Sequence, residues 1–560
     1  MSEIKEYIVT CKNKEDLDSL YDDMETPGGN LYIPDRAVEL VDRRPISRNT
    51  HYMLSEEEAR QVRNDPRVLA CEIIPSELGI VAKSFWTQTG DFQKTTTSFG
   101  SDDKNWGLYR VSEGQTVANW GSDSIPQITN RRISTTSSGK NVDVITVDEH
   151  PNPDHPEFAV NVDGTGGSRV NLFNWFSYSS ALGYSTPATY TYPTTGNLPN
   201  KNHGSHVTGT AAGNTQGWAR DANIYNMAFN DALSGEVDWA LKLWDYLRYF
   251  HLNKPINPDT GRKNPTVTNH SWGYSFSDIP LTDVTSVNYR GTITTVSGTD
   301  AQRKAILEAN GVPVPLDTFL SSTPARVAAV DADIQDAIND GVIIISSAGN
   351  SFWNADVFGG VDYNNSVTIS GVSTITHSKG SSPGAADNVI CVGSLGSKVA
   401  EYKSNFSNWG NRIDIWAPGS DIISAVWDST TATNEGYGSL AQDPRNTSYW
   451  LASINGTSMS SPQVAGVIAC LAEQEPNITQ AEALQYLKET FLAEVGDPGS
   501  NPNSSPYEGF GVGNNRYLFY KKKRPEEGTS FPRLSIKNRN PEVDGVKYPR
   551  TRNTVTKRQN

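Results

Sequence analysis

A serine hydroxyl, an imidazole and a carboxylate stand at three separated places in this chain, each in a local sequence suited to holding it still. Ser458 lies in Gly456-Thr457-Ser458-Met459-Ser460-Ser461-Pro462, which runs on into the apolar Val467-Ile468-Ala469-Cys470-Leu471. Hydroxyls at the opening turn, then small and apolar residues at helical spacing, predict a helix that opens on this serine. Pro462 falls early enough for the helix to absorb it near its first turn. A serine placed there meets the positive end of the helix dipole, where backbone N–H groups favour a developing oxyanion. His203 lies in Asn202-His203-Gly204-Ser205-His206-Val207-Thr208-Gly209, a second helix start built from small residues that allow close approach. Asp148 ends the apolar run 144–147, the place where a parallel sheet delivers residues to its active edge. Asp143, mid-strand, and Asp154, in the following loop, are less well placed. Asn350 closes Ser346-Ser347-Ala348-Gly349-Asn350 after the strand 342–345, and its amide suits either an oxyanion or a turn. The chemistry these types could do together is nucleophilic attack by a hydroxyl, with a base in reach and a carboxylate orienting the base. Taken singly, each has an ordinary structural reading: a capped core helix, a structural histidine, a turn asparagine.

Three groups so far apart in the chain need a scaffold that returns to one edge. Short apolar runs, 142–147 and 341–345 among them, alternate with helical stretches at 237–250 and 326–339. That alternation predicts an α/β domain with a doubly wound, mostly parallel sheet over residues 106–520. Irregular inserts are expected at about 160–200, 276–324 and 427–452. Residues 1–82 read as a separate α+β unit of ferredoxin-like order: strand 6–11, helix 15–24, strand 37–41, strand 51–54, helix 55–64 and strand 68–74. Ser55 followed by Glu58 supplies a capping box for its second helix. Residues 83–105, polar and without period, read as a linker. Residues 521–560 carry twelve Lys and Arg against four Asp and Glu and read as a basic, disordered tail that contacts an acidic partner if it contacts anything.

A net charge of -15 argues against non-specific nucleic-acid binding by the body of the protein. No apolar run approaches the roughly 20 residues of a bilayer span, so no membrane partner is expected. Met1-Ser2-Glu3-Ile4-Lys5-Glu6-Tyr7 is not the start of a Sec-type signal peptide, which predicts cytoplasmic synthesis and release or packaging by a non-Sec route. Cys11, Cys71, Cys391 and Cys470 are widely spaced in or beside apolar runs and read as buried thiols.

In the order Asp148, His203, Asn350, Ser458 these motifs resemble the subtilisin-like serine proteases, over roughly residues 105–520. The Asp block is matched by 144–148 with His155-Pro156-Glu157-Phe158 beyond it, and the chain order Asp, His, Ser is that of subtilisins. The resemblance implies a serine endopeptidase in which Ser458 attacks, His203 is the base, Asp148 orients it and Asn350 serves the oxyanion. It places an extended peptide substrate along Ser271, Trp272 and Gly273, with Ser347, Ala348 and Gly349 beside it. It makes residues 1–82 an inhibitor-type propeptide, with the maturation site in 83–105 and the propeptide as a partner of its own enzyme. No cofactor is implied as a requirement; members often bind calcium structurally, and no contiguous Asp/Asn/Gly loop for it stands out. One departure is clear: the family follows its Asp with a small residue and Gly, whereas Glu149 and His150 follow Asp148, so an extra carboxylate stands where it can raise a neighbouring pKa or compete for His203. That departure and the long inserts keep a second reading open, a weak or inactive binding or assembly protein of the same fold, carried in a larger particle.

Overall fold

The computed structural model describes residues 4–33, 39–43, 47–74, 86–93, 99–113, 128–185, 189–192, 202–229, 239–370, 374–397, 403–437, 439–490 and 516–520. The basic tail at 521–560 lies outside the described residues, as do 83–85 and 94–98 of the expected linker and 193–200 of the first insert. The chain divides into two compact units, within Met1–Val81 and Ala82–Lys522.

In the smaller unit the strands Ile4–Cys11, Glu39–Arg43, Asn49–Ser55 and Val68–Ile73 form one antiparallel sheet, with Ile4–Cys11 and Asn49–Ser55 at its centre. Alternation along the first strand buries Tyr7, Val9 and Cys11 against Leu20 and Met24 of the helix Leu17–Glu25 and Val62 of the helix Glu56–Arg63. The expected capping box is present: Ser55 N–H donates to Glu58 Oε2 at 2.7 Å and Glu58 N–H to Ser55 Oγ at 3.4 Å. All four cysteines are buried and free.

The larger unit is built on seven parallel strands, in the order Ile415–Pro418, Ile390–Leu395, Ile343–Ser347, Thr266–His270, Asp143–Val147, Asn223–Met227 and Val170–Asn171. Both faces are covered, as an all-parallel sheet requires. Val144, Ile343 and Ile345 face a core shared with Val464 and Ile468 of the helix Thr457–Gln474 and Ala211 of the helix Asn202–Ala212. The intervening Ile145 and Ile344 face Leu243 and Leu247 of the helix Trp239–Asn253 and Ile334 of the helix Ala328–Asn339.

Three corrections to the sequence reading concern its irregular segments. Trp86–Gln93, inside the expected linker, is a strand of the larger unit, paired with Ile128–Thr135 and Lys104–Asn105. Its polar composition concealed it, because what it buries includes Gln88, whose amide donates to the Thr215 carbonyl at 2.6 Å. The insert at 276–324 is ordered: Val284–Tyr289 pairs with Thr292–Thr295 and with Ser366–Ile369, which pairs with Thr374–Ile375, over a separate core including Leu281, Leu307 and Trp353. The insert at 427–452 holds the helix Ser429–Asn434 and a hairpin of Ser439–Asp443 with Asn446–Ile454.

Candidate active site

The three central strands of the large sheet end level with one another. Val147 is the register partner of His270, and His270 of Ser346, so Asp148, Ser271 and Ser347 leave the sheet side by side. Asp148 is fully buried, and its Oδ1 accepts the His203 Nδ1–H at 2.8 Å and the Glu149 N–H at 2.8 Å. Asn226, one strand over, fixes the backbone there: its Nδ2 donates to the carbonyls of Thr146 and Glu149 at 3.0 Å each, and its Oδ1 accepts the His150 ring N–H at 2.6 Å. His150 is thereby buried, packed against Tyr190 and Tyr192 of the first insert.

His203 is the second residue of its helix, with 28% of its side chain exposed. Burial disfavours its imidazolium, but the charge and hydrogen bond of Asp148, with Glu149 and Glu435 behind, outweigh that and hold the ring up at about 8. A Cβ on Gly204 would overlap the carbonyl of Glu149, so glycine is what lets the helix start come this close to the strand end. Glu149 itself is pushed up to about 8, by burial first and by the charge of Asp148 second.

Ser458 is second in its helix and 7% exposed. Its Oγ donates to the Ser271 carbonyl at 3.2 Å. The Asn350 side chain is oriented by Thr457, whose N–H and hydroxyl both donate to its Oδ1, at 2.9 and 2.7 Å. The amide nitrogen is thus left as the donor end, and Asn350 is exposed. Ser347 is buried, Ala348 and Gly349 half-buried, and Gly349 takes φ +102°, where a Cβ would collide with Asn408. Ser271 is buried, Gly273 is exposed, and Trp272 lies flat on Phe229, centroids 5.0 Å apart and 2° from parallel. Every expected site residue therefore lies at this one edge of the sheet.

Asp148, Glu149 and His203 are also the only set of metal-type donors among the described residues that crowds within 4.8 Å. Asp148 Oδ1 is taken up by His203 and the Glu149 N–H, whereas the other oxygen of Asp148 and one oxygen of Glu149 accept no hydrogen bond.

Four residues of the site were missed from the sequence. Asn408 holds the loop after Ser347, donating to the Ala348 carbonyl at 2.8 Å and accepting from Trp353 N–H at 2.9 Å. Glu435 accepts from Asn202 at 3.0 Å and faces His203 from the third insert. Phe229 and Asn226 complete the set. Only Asn226 carried a signal, a polar residue inside the buried run 223–227.

Most of the chain resembles known proteins. The model of the subtilase family matches residues 139–513. "Alkaline protease 1" of Aspergillus clavatus is 24% identical over 416 residues, 73% of this chain and 72% of that protein. "Subtilisin-like serine protease pepC" of Aspergillus niger is 25% identical over 397 residues, 70% of this chain but 51% of that protein. The chain thus spans between half and three quarters of the length of these two relatives. A crystal structure of a cold adapted subtilisin-like serine proteinase aligns with 75% of this chain and 99% of that one, at 20% identity and a TM-score of 0.41. With the family model covering most of the chain, and with a doubly wound sheet beneath its matched motifs, this protein belongs to the subtilase family of subtilisin-like serine endopeptidases.

Proposed function

We propose that the chain is a self-processing zymogen in which Asp148, His203 and Ser458 hydrolyse peptide bonds of an extended substrate. The observation that carries this reading is the 2.8 Å bond from His203 to the buried Asp148, at the sheet edge where Ser458 opens its helix. On substrate binding Ser458 Oγ turns from the Ser271 carbonyl to attack the scissile carbonyl carbon, and the free imidazole nitrogen of His203 takes its proton. Asp148 keeps the other nitrogen protonated and supports the imidazolium that forms. The tetrahedral oxyanion meets the Ser458 N–H and the amide of Asn350, a donor whose loss typically costs on the order of 100- to 1000-fold in kcat; the measured example behind that figure is a subtilisin. His203 then returns the proton to the leaving amine, and water repeats the sequence on the acyl-enzyme. The exposed backbone at Gly273 suits pairing with a peptide strand. The smaller unit is read as the propeptide, on its ferredoxin-like order and its place ahead of the catalytic unit.

The test is intact mass of wild type beside Ser458→Ala after incubation at neutral pH, with fluorophosphonate labelling of each. Wild type alone is expected to lose an N-terminal fragment ending between about residues 80 and 104, and to be labelled at Ser458. Retention of the whole chain by both, with no labelling, would transfer the protein to the binding or assembly reading.

A further inference from the structure

Two buried carboxylate oxygens at the site, Asp148 Oδ2 and Glu149 Oε2, have no hydrogen-bond partner. Their sister oxygens are occupied: Asp148 Oδ1 by His203 and the Glu149 N–H, the Glu149 carboxyl by the Gly204 N–H in the first turn of the helix that carries His203. Carboxylate oxygens of both residues lie within 4.8 Å of each other and of a His203 ring nitrogen. From the third insert Glu435 adds a further negative charge, with the Tyr437 hydroxyl donating to it. Adjacent buried carboxylates cannot both ionise cheaply, and each unpaired buried oxygen is itself costly. A single proton held between them relieves both penalties.

We propose that Glu149 is a positioning residue of the triad, sharing a proton with the unpartnered oxygen of Asp148 in the resting enzyme and releasing it as the pH rises. In the protonated state Glu149 donates to Asp148 Oδ2, accepts from Gly204, and so ties the strand end that carries the carboxylate to the helix that carries the base. Asp148 is then the one full charge directly opposite His203. In the ionised state the second carboxylate adds its field to that of Asp148 and makes His203 a stronger base. The raised affinity of Glu149 for its proton, which burial and Asp148 both favour, agrees with this. The inference rests on the triad reading above and goes beyond it, since the family pattern places a small residue where Glu149 stands.

The experiment compares Glu149→Gln and Glu149→Ala with wild type by kcat and KM across pH, with and without EDTA. Glutamine can donate to Asp148 and accept from Gly204 but cannot ionise. It is expected to keep kcat near neutral pH within a few-fold of wild type, to lose one ionisation from the rising limb of the profile, and to move the remaining midpoint down. Alanine leaves Asp148 Oδ2 unpaired and the helix uncapped, and is expected to lower kcat about tenfold with little change in KM. A glutamine profile that overlays wild type, or a glutamine variant as slow as alanine, overturns the proposal. So does a wild-type profile that shifts on chelation to match the glutamine variant, which would put a cation between the two oxygens. Fluorophosphonate labelling of each variant separates this failure from that of the triad: an unlabelled wild type sinks the proposed function, whereas labelled variants with unchanged profiles sink only the role of Glu149.

Discussion

Pro462 sits inside the helix Thr457–Gln474 and has no N–H to give the carbonyl of Ser458, four residues before it. The hydroxyl of Ser271 takes over that carbonyl at 2.9 Å, and itself touches Ser461 Oγ at 3.0 Å and Asn269 Nδ2 at 2.9 Å. A gap in the helix ladder thus becomes the tie between the proposed nucleophile and the segment expected to hold substrate. Ser271→Ala should therefore cost about 1 kcal/mol of stability, the net worth of one buried hydrogen bond, and lower kcat/KM several-fold. In a Pro462→Ala background, where an N–H can reach the Ser458 carbonyl, the same change should cost clearly less; urea titrations of all four proteins check this, and simple additivity would refute it. From the sequence Pro462 looked absorbable near the first turn, and its consequence stayed hidden because the compensating donor lies far away in the chain. Ser458, His203, Asp148 and Asn350 could be picked out for the opposite reason: each motif taken singly has an ordinary structural reading, but their order along the chain resembles that of one family. Asn408 acts on the backbone of a distant segment with nothing local to report it, and Asn226 showed only as a polar residue in its strand.

At the scale of elements, the site depends on how closely the helix Asn202–Ala212 meets the end of the strand Asp143–Val147. Gly204 marks that contact, since any side chain there would overlap the Glu149 carbonyl. Gly204→Ala is expected to destabilise by roughly 1–3 kcal/mol through overpacking. It should also lower kcat by on the order of 100-fold, since a displacement of about 1 Å at the base is enough for that. Thermal unfolding and single-substrate kinetics on the variant measure the two effects separately; an unchanged kcat would show that the helix can shift without moving His203. The close approach was readable in the run of small residues after His203, and the parallel sheet in its short apolar runs at α/β spacing. Strand Val284–Tyr289 was not, because its own residues do not alternate and its partner Ser366–Ile369 lies far along the chain. A sheet assembled from stretches distant in the chain is specified by pairing, which local patterning does not express.

Across the whole molecule, the titrating groups set stability and activity against each other. His206, His270 and His377 are fully buried and pushed down to about 3 by desolvation, and burial likewise lowers His251 to about 4. Each stays neutral in the folded chain while its unfolded counterpart takes a proton below about 6.5. The unfolded state therefore binds more protons in that range, and stability falls as the pH drops from about 6.5 toward 3, by up to about 1.4 kcal/mol per pH unit for each ring. Glu157, held down at about 2 against its own burial mainly by the charge of Arg445, adds to the loss below about 4.5. On the other side, His203 and Glu149 are both raised to about 8, so the folded state binds the extra protons and stability declines as the pH climbs through that value. Glu149 opposes the histidines between about 4.5 and 6.5, one group against four. The maximum of stability should fall between about pH 6 and 7. With His203 as the proposed base, activity needs it unprotonated and should keep rising through pH 8, where stability is already declining. Melting temperatures of Ser458→Ala, which cannot digest itself, set beside wild-type kcat/KM over pH 4–9 test the offset. Coincident optima would show either that the buried histidines titrate normally or that His203 lacks the support of its carboxylates, and Glu149→Gln distinguishes these because it moves only the second.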